Sequence, residues 1–190
     1  MALRHIDSAK MTKQELLNAL NHVRGNLLLG NIFIGFSDSI DWKLLGTLIH
    51  EINSPELIFK TDLRPVFGKT ASLRKDHPLM VEEFQKMLRR VAVAESFEVL
   101  DTYCHESGQI EKFRSVTWYW FAKILRNTAS HKQGEKIVWP DALIKKGIST
   151  VKWRHRTLEQ TKKDPILQLH DAEILGLMAD EIAFVEKCLN

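Results

Sequence analysis

Cysteine is scarce in this 190-residue chain: Cys104 and Cys188 stand far apart, with no CxxC spacing. That argues against a disulfide scaffold and for a reduced, cytoplasmic setting. The glycine motifs GxxxxGK(S/T), GxGxxG and GxSxG are also missing, so phosphate-loop, dinucleotide and α/β-hydrolase chemistries have no support. His50-Glu51 does not continue into HExxH, and the eight histidines are scattered without zinc spacing; no metal and no cofactor is expected. The longest apolar run, LLLGNIFIGF at 27–36, is too short and too glycine-interrupted to span a membrane. It is expected to be buried. The opening MALRHIDSAKMTKQ lacks the apolar segment of a secretory leader. One-sided charge is lacking too: 27 Lys and Arg against 24 Asp and Glu leave only +3, which permits contact with a polyanion without arguing for one.

What is present is helical periodicity. Hydrophobic residues at 44% and charged residues at 27% suit one globular domain, 1–190, with a sizeable core. Thr12-Lys13-Gln14-Glu15 has the form of a capping box and opens a helix with Leu16, Leu17, Leu20, Val23 and Leu27 inward. Residues 41–52 are expected to form a second helix. Residues 56–77, basic and broken by Pro65 and Gly68, are read as a surface excursion. From Pro78 to His105 a long helix carries two apolar stripes and would touch neighbours on two sides. Residues 110–134 then form an amphipathic helix. Segments 136–139 and 150–158 alternate like strands and are expected to pair as a hairpin. A last helix, 170–189, turns Ile174, Leu177, Met178, Ile182 and Val185 inward and an acidic face outward. The predicted fold is mainly α, an antiparallel helical bundle with a small β-hairpin after the motif helix. Residues 1–77 form its N-terminal helical part and 78–190 the motif-bearing core.

The chemistry concentrates in the last turn of the 110–134 helix, Arg126-Asn127-Thr128-Ala129-Ser130-His131. Asn127 and His131 are four apart, so a helix stacks them, and the carboxamide can fix the tautomer and angle of the imidazole. Arg126 offers a permanently charged planar fork suited to phosphate. Together they could break a phosphodiester without a metal. The histidine would move the proton of a ribose 2′-OH or of the leaving oxygen, while the arginine neutralises charge growing on phosphorus. Arg126 and His131 are five apart, however, and so roughly 140° apart around an ideal helix. A loosened last turn, or a two-fold axis pooling two such helices, would bring them to one phosphate.

This Arg-Asn-x-x-x-His pattern, near the end of a helix in an otherwise helical chain, resembles the signature of the HEPN superfamily (higher eukaryotes and prokaryotes nucleotide-binding). Its catalytic members are metal-independent RNases, often toxins or host-defence proteins. The resemblance implies a helical bundle, a composite site across a homodimer, a protein antitoxin as a possible partner, and 2′,3′-cyclic phosphate and 5′-OH ends. Matched residue by residue, Arg126 takes the phosphate-stabilising place, Asn127 the polar second place and His131 the acid/base. Six residues carry the motif; the wider likeness is topological and covers residues 79–190, leaving the N-terminal part without a family motif.

Lys132, Lys152, Arg154 and Arg156, with Lys145, Lys146, Lys162 and Lys163, make the most basic stretch of the chain and would guide RNA, with Trp153 available to stack a base. Strand alternation puts Lys152, Arg154 and Arg156 on one face and Val151, Trp153 and His155 on the other. The alternative reading keeps Arg126 as a helix-ending cation and His131 as a satisfied core histidine. The protein would then be a non-catalytic helical module that holds a protein or a nucleotide. A monomer with Arg126 and His131 buried or far apart would favour that alternative.

Overall fold

The capping box forms as its residues dictate: the Thr12 amide donates to Glu15 Oε2 at 2.7 Å, and the Glu15 amide donates to Thr12 Oγ1 at 3.2 Å. It opens α1, Lys13–Phe36. The other elements are α2 (Thr70–Glu106), α3 (Ile110–Arg114), α4 (Tyr119–Ser130), α5 (Asp141–Lys145), β1 (Thr150–Trp153), β2 (Arg156–Glu159) and α6 (Asp171–Cys188). The structure, a computed structural model, describes residues 11–36, 39, 70–130, 137–161 and 168–190, with 70–77 as backbone only. The helix predicted at 41–52 lies outside the described residues. The fold is mainly helical, with a two-stranded antiparallel hairpin after the motif helix, as the sequence leads one to expect.

The chain divides into two compact units, Met1–Leu27 with Leu88–Asn190, and Leu28–Met87. The first holds the core. Leu16, Leu20 and Leu27 of α1, Val93, Phe97 and Leu100 of α2, Phe121, Ile124 and Leu125 of α4, and Ile174, Leu177 and Val185 of α6 are all buried. Phe97, Phe113, Trp118, Tyr119 and Phe184 form an aromatic cluster with centroids 5.0 to 6.1 Å apart, each good pair adding about 1 kcal/mol beyond its buried area. The inward stripe predicted for the last helix is observed in full. In the second unit, Leu28, Leu29, Ile32, Phe33 and Phe36 are 44% to 67% exposed. Within the apolar run 27–36, Leu27 and Gly30 are buried and these five side chains are not, contrary to the burial expected from composition. A helix turns by ~100° per residue, so an all-apolar run covers every face and cannot hide them all.

Three boundaries also differ from the prediction. The long helix begins at Thr70, before Pro78, which sits inside it on an exposed face, where the missing N–H and the ring are easiest to accommodate. The 110–134 helix is instead two helices with a turn between them. There Ser115 Oγ donates to the Lys112 carbonyl at 2.7 Å, an alternative to the helical ladder, and β-branched Val116 and Thr117 follow. The break lets the neighbours Trp118 and Tyr119 both bury.

The hairpin does not use 137–139, the described part of the expected first arm. Both its arms come from 150–159, with Thr150 opposite Glu159 and Trp153 opposite Arg156. The two-residue turn Arg154-His155 puts Arg154 at φ 50°, the left-handed region that short hairpin turns require. Cross-strand partners share a face, so Arg156 lies with Trp153, and Lys152 with Thr157. The predicted face of Lys152, Arg154 and Arg156 together does not exist.

Candidate functional site

α4 is amphipathic around a narrow polar stripe. Positions 123, 126, 127 and 130 recur at three and four residues and so share one face: Lys123, Arg126, Asn127 and Ser130. The opposite face, Phe121, Ile124, Leu125 and Thr128, is buried. Thr128 Oγ1 donates to the Ile124 carbonyl at 2.8 Å and accepts the Val138 amide at 3.2 Å, which fastens the chain beyond the helix to its last turn.

Arg126 leaves α4 towards α2. Its Nε donates to Glu98 Oε1 at 3.0 Å, and its Nη2 lies 2.9 Å from the same oxygen. Nη1 faces Asn127 Oδ1 at 3.3 Å. The arginine side chain is 32% exposed and that of Glu98 is 48% exposed, so the pair is open to solvent and adds at most about 1 kcal/mol. One turn earlier, the Lys123 ammonium stands 5.0 Å from the centroid of the Phe97 ring. Burial pushes the Lys123 amine below its ordinary pKa; Asp101 and Glu98 oppose that shift, while Arg126 and Arg114 add to it. Asp101 Oδ2 lies 3.5 Å from His105 Nδ1. Its Oδ1 is buried, with no hydrogen-bond partner among the described residues. Two acids of α2 and two cations of α4 therefore interleave along one seam.

Of the predicted site residues, Arg126 and Asn127 are brought side by side on this stripe. His131 and Lys132 lie outside the described residues. Arg154 and Arg156 point elsewhere, to the acidic face of α6. Arg156 donates through Nε to Glu173 Oε1 and through Nη2 to Glu173 Oε2, the latter at 2.6 Å. Glu173 also accepts the His170 amide at 2.9 Å. Hydrogen bonding from Arg156 outweighs burial and pulls its carboxyl down to about 2. Arg154 Nη2 meets Asp180 Oδ1 at 2.8 Å, and its guanidinium stacks on Trp153 at 4.8 Å. Trp153 Nε1 donates to Asp180 Oδ2 at 2.8 Å, and its ring lies 5.2 Å from that of Phe121 on α4. The acidic face of α6 does meet a basic surface, and that surface belongs to the same chain. Lys152 is exposed.

Glu98, Asp101 and Lys123 were not singled out by sequence. Lys123 was findable, since it precedes Arg126 by three residues on a helix. Glu98 was not, because its pairing follows from the packing of two helices. Among the described residues, no group of three His, Cys, Asp or Glu side chains converges as a metal would need, and no helix is long and apolar enough to cross a membrane. Cys104 is buried, and burial pushes its thiol up to about 12, far from a nucleophile's range. No protein-family model matches this chain, and no curated protein or solved structure matches it.

Proposed function

We propose that the chain is a metal-independent endoribonuclease of the HEPN type, acting as a homodimer. One observation carries the reading. Arg126 and Asn127, the first two residues of the motif, sit together on a solvent-reachable polar stripe, with the guanidinium steadied by a half-exposed carboxylate rather than sealed in the core. In the proposed reaction the ribose 2′-oxygen forms a bond to phosphorus and the bond to the 5′-oxygen breaks. The products are a 2′,3′-cyclic phosphate and a 5′-OH. His131 takes or returns the proton, Arg126 neutralises the phosphorane charge and Asn127 orients the imidazole. A two-fold axis pools two Arg126 and two His131 groups, which answers the ~140° separation within one helix. Lys132, Lys145, Lys146 and Lys152 are the cations assigned to guiding RNA, since Arg154 and Arg156 already hold carboxylates. A toxin or host-defence role, with an antitoxin as partner, belongs to the same reading.

The test is cleavage of a mixed RNA pool in excess EDTA by wild type and His131→Ala. Cyclic-phosphate ends from wild type and a loss of about 10²–10⁴ in rate for the variant, with its fold intact, support the proposal. Equal rates, or a variant that unfolds, count against it. A second reading, a helical module that docks a protein, draws on the exposed side chains of Leu28, Leu29, Ile32, Phe33 and Phe36; a wild type that stays monomeric and cuts no RNA would favour it.

A further inference from the structure

A guanidinium has two edges that can each grip an anion with two N–H groups: the side edge of Nε and Nη2, and the end edge of Nη1 and Nη2. In Arg126 the side edge is taken, since Nε and Nη2 both reach Glu98 Oε1. Among the described residues, the end edge carries only the long contact from Nη1 to Asn127 Oδ1 at 3.3 Å. Glu98 stands on α2, anchored in the core through its neighbours Phe97 and Leu100, which are 1% and 0% exposed. Its backbone is thus held in place, and its carboxylate meets the long arginine side chain and, among the described residues, no other partner.

We infer that Glu98 is a positioning residue for an anion receptor: it holds Arg126 by the side edge so that the end edge is presented to a phosphate diester. The inference rests on the nuclease reading for the identity of the ligand as RNA. Without Glu98 the guanidinium regains its rotamers, and a phosphate must pay the entropy of ordering it. The opposite role is chemically simple to state. A carboxylate that merely occupies the arginine would compete with phosphate, and its removal would help binding.

The two roles give opposite signs. Glu98→Gln raises the net charge by one unit, which by electrostatics alone tightens the hold on a polyanion. Positioning instead predicts that an uncleavable all-2′-O-methyl oligoribonucleotide binds about tenfold more weakly to Glu98→Gln, a change equivalent to ~1.4 kcal/mol, and more weakly still to Glu98→Ala. Glu98→Asp should restore part of the loss. A structural role would move the melting temperature of all three variants without this order in affinity. Unchanged or tighter binding by Glu98→Gln overturns the inference, and so does a wild type that does not bind the oligonucleotide. Because that ligand lacks the attacking hydroxyl, the result is separable from the cleavage test. His131-dependent cleavage with unweakened Glu98→Gln binding sinks this inference alone, whereas weakened binding without cleavage sinks the nuclease reading and leaves the receptor.

Discussion

Two regions carry arginines that sequence alone makes equivalent, the end of α4 and the hairpin. Arg156 meets Glu173, a carboxylate 12% exposed that also receives the His170 amide at the start of α6. Arg154 lies between the Trp153 ring and Asp180. These cations fasten a two-stranded hairpin, too small to be stable alone, to a long helix. Arg126 meets Glu98, 48% exposed and with no second partner among the described residues. The same pair type is a shared and shielded clasp in the hairpin, and an open pair at the end of α4, where the proposed function needs the arginine.

The largest effect that separates the regions is catalytic. Arg126→Ala should lower RNA cleavage by about 10²–10³, the worth of one donor on a developing charge, at a stability cost of no more than about 1 kcal/mol. Arg156→Ala should leave the rate within about twofold while lowering the melting temperature by at least as much as Arg126→Ala does, about 2–4 °C for each kcal/mol lost. Rates and melting curves for both variants check this; a rate loss in Arg156→Ala would merge the two regions.

The next effect is one of pH and concerns the helix that the hairpin grips. Glu181 of α6 is 1% exposed, and burial, only partly offset by Ser96, pushes its carboxyl up to about 8. Its Oε2 has no hydrogen-bond partner among the described residues. A carboxyl raised in the folded state binds its proton more tightly than in the unfolded chain, so this stability is complete below pH 4.5 and is lost as pH rises to about 8. Glu173 has the opposite sign, with stability present above pH 4.5 and lost as pH falls towards about 2. Urea unfolding of wild type should weaken between pH 5 and 8 by an amount on the order of a few kcal/mol, and Glu181→Gln should flatten that slope. A slope that survives the substitution would assign it to other groups.

Helix faces were legible wherever a period meets a packed neighbour: the inward residues of α6 and the Thr12–Glu15 box needed only local rules. The hairpin was legible as composition but not as register. Its turn, Arg154-His155, lacks the Asn or Gly that marks such turns and falls inside the stretch 150–158 expected as one arm, which puts Arg156 on the face of Trp153. The exposure of Leu28, Leu29, Ile32, Phe33 and Phe36 was not legible, because apolar composition does not say which face of a helix is covered. At the site, Arg126, Asn127 and their polar stripe could be read from spacing. Glu98 could not, because it comes from 28 positions away in the chain, a contact set by how α2 and α4 pack.

The smallest effect tests the comparison most finely. Each cation that contacts single-stranded RNA contributes about 0.7 to the slope of log affinity against log salt. Lys152 is exposed and stands across from Thr157 rather than from an acid, so Lys152→Ala should reduce that slope by up to this amount and weaken binding only severalfold at moderate salt. Arg156→Ala removes a charge already balanced by Glu173 and should leave the slope where it was. Equal slopes for wild type and Lys152→Ala would take the hairpin out of RNA binding altogether. A reduced slope for Arg156→Ala would mean that the clasp opens to RNA, and that shielding of the acid does not decide which arginines work.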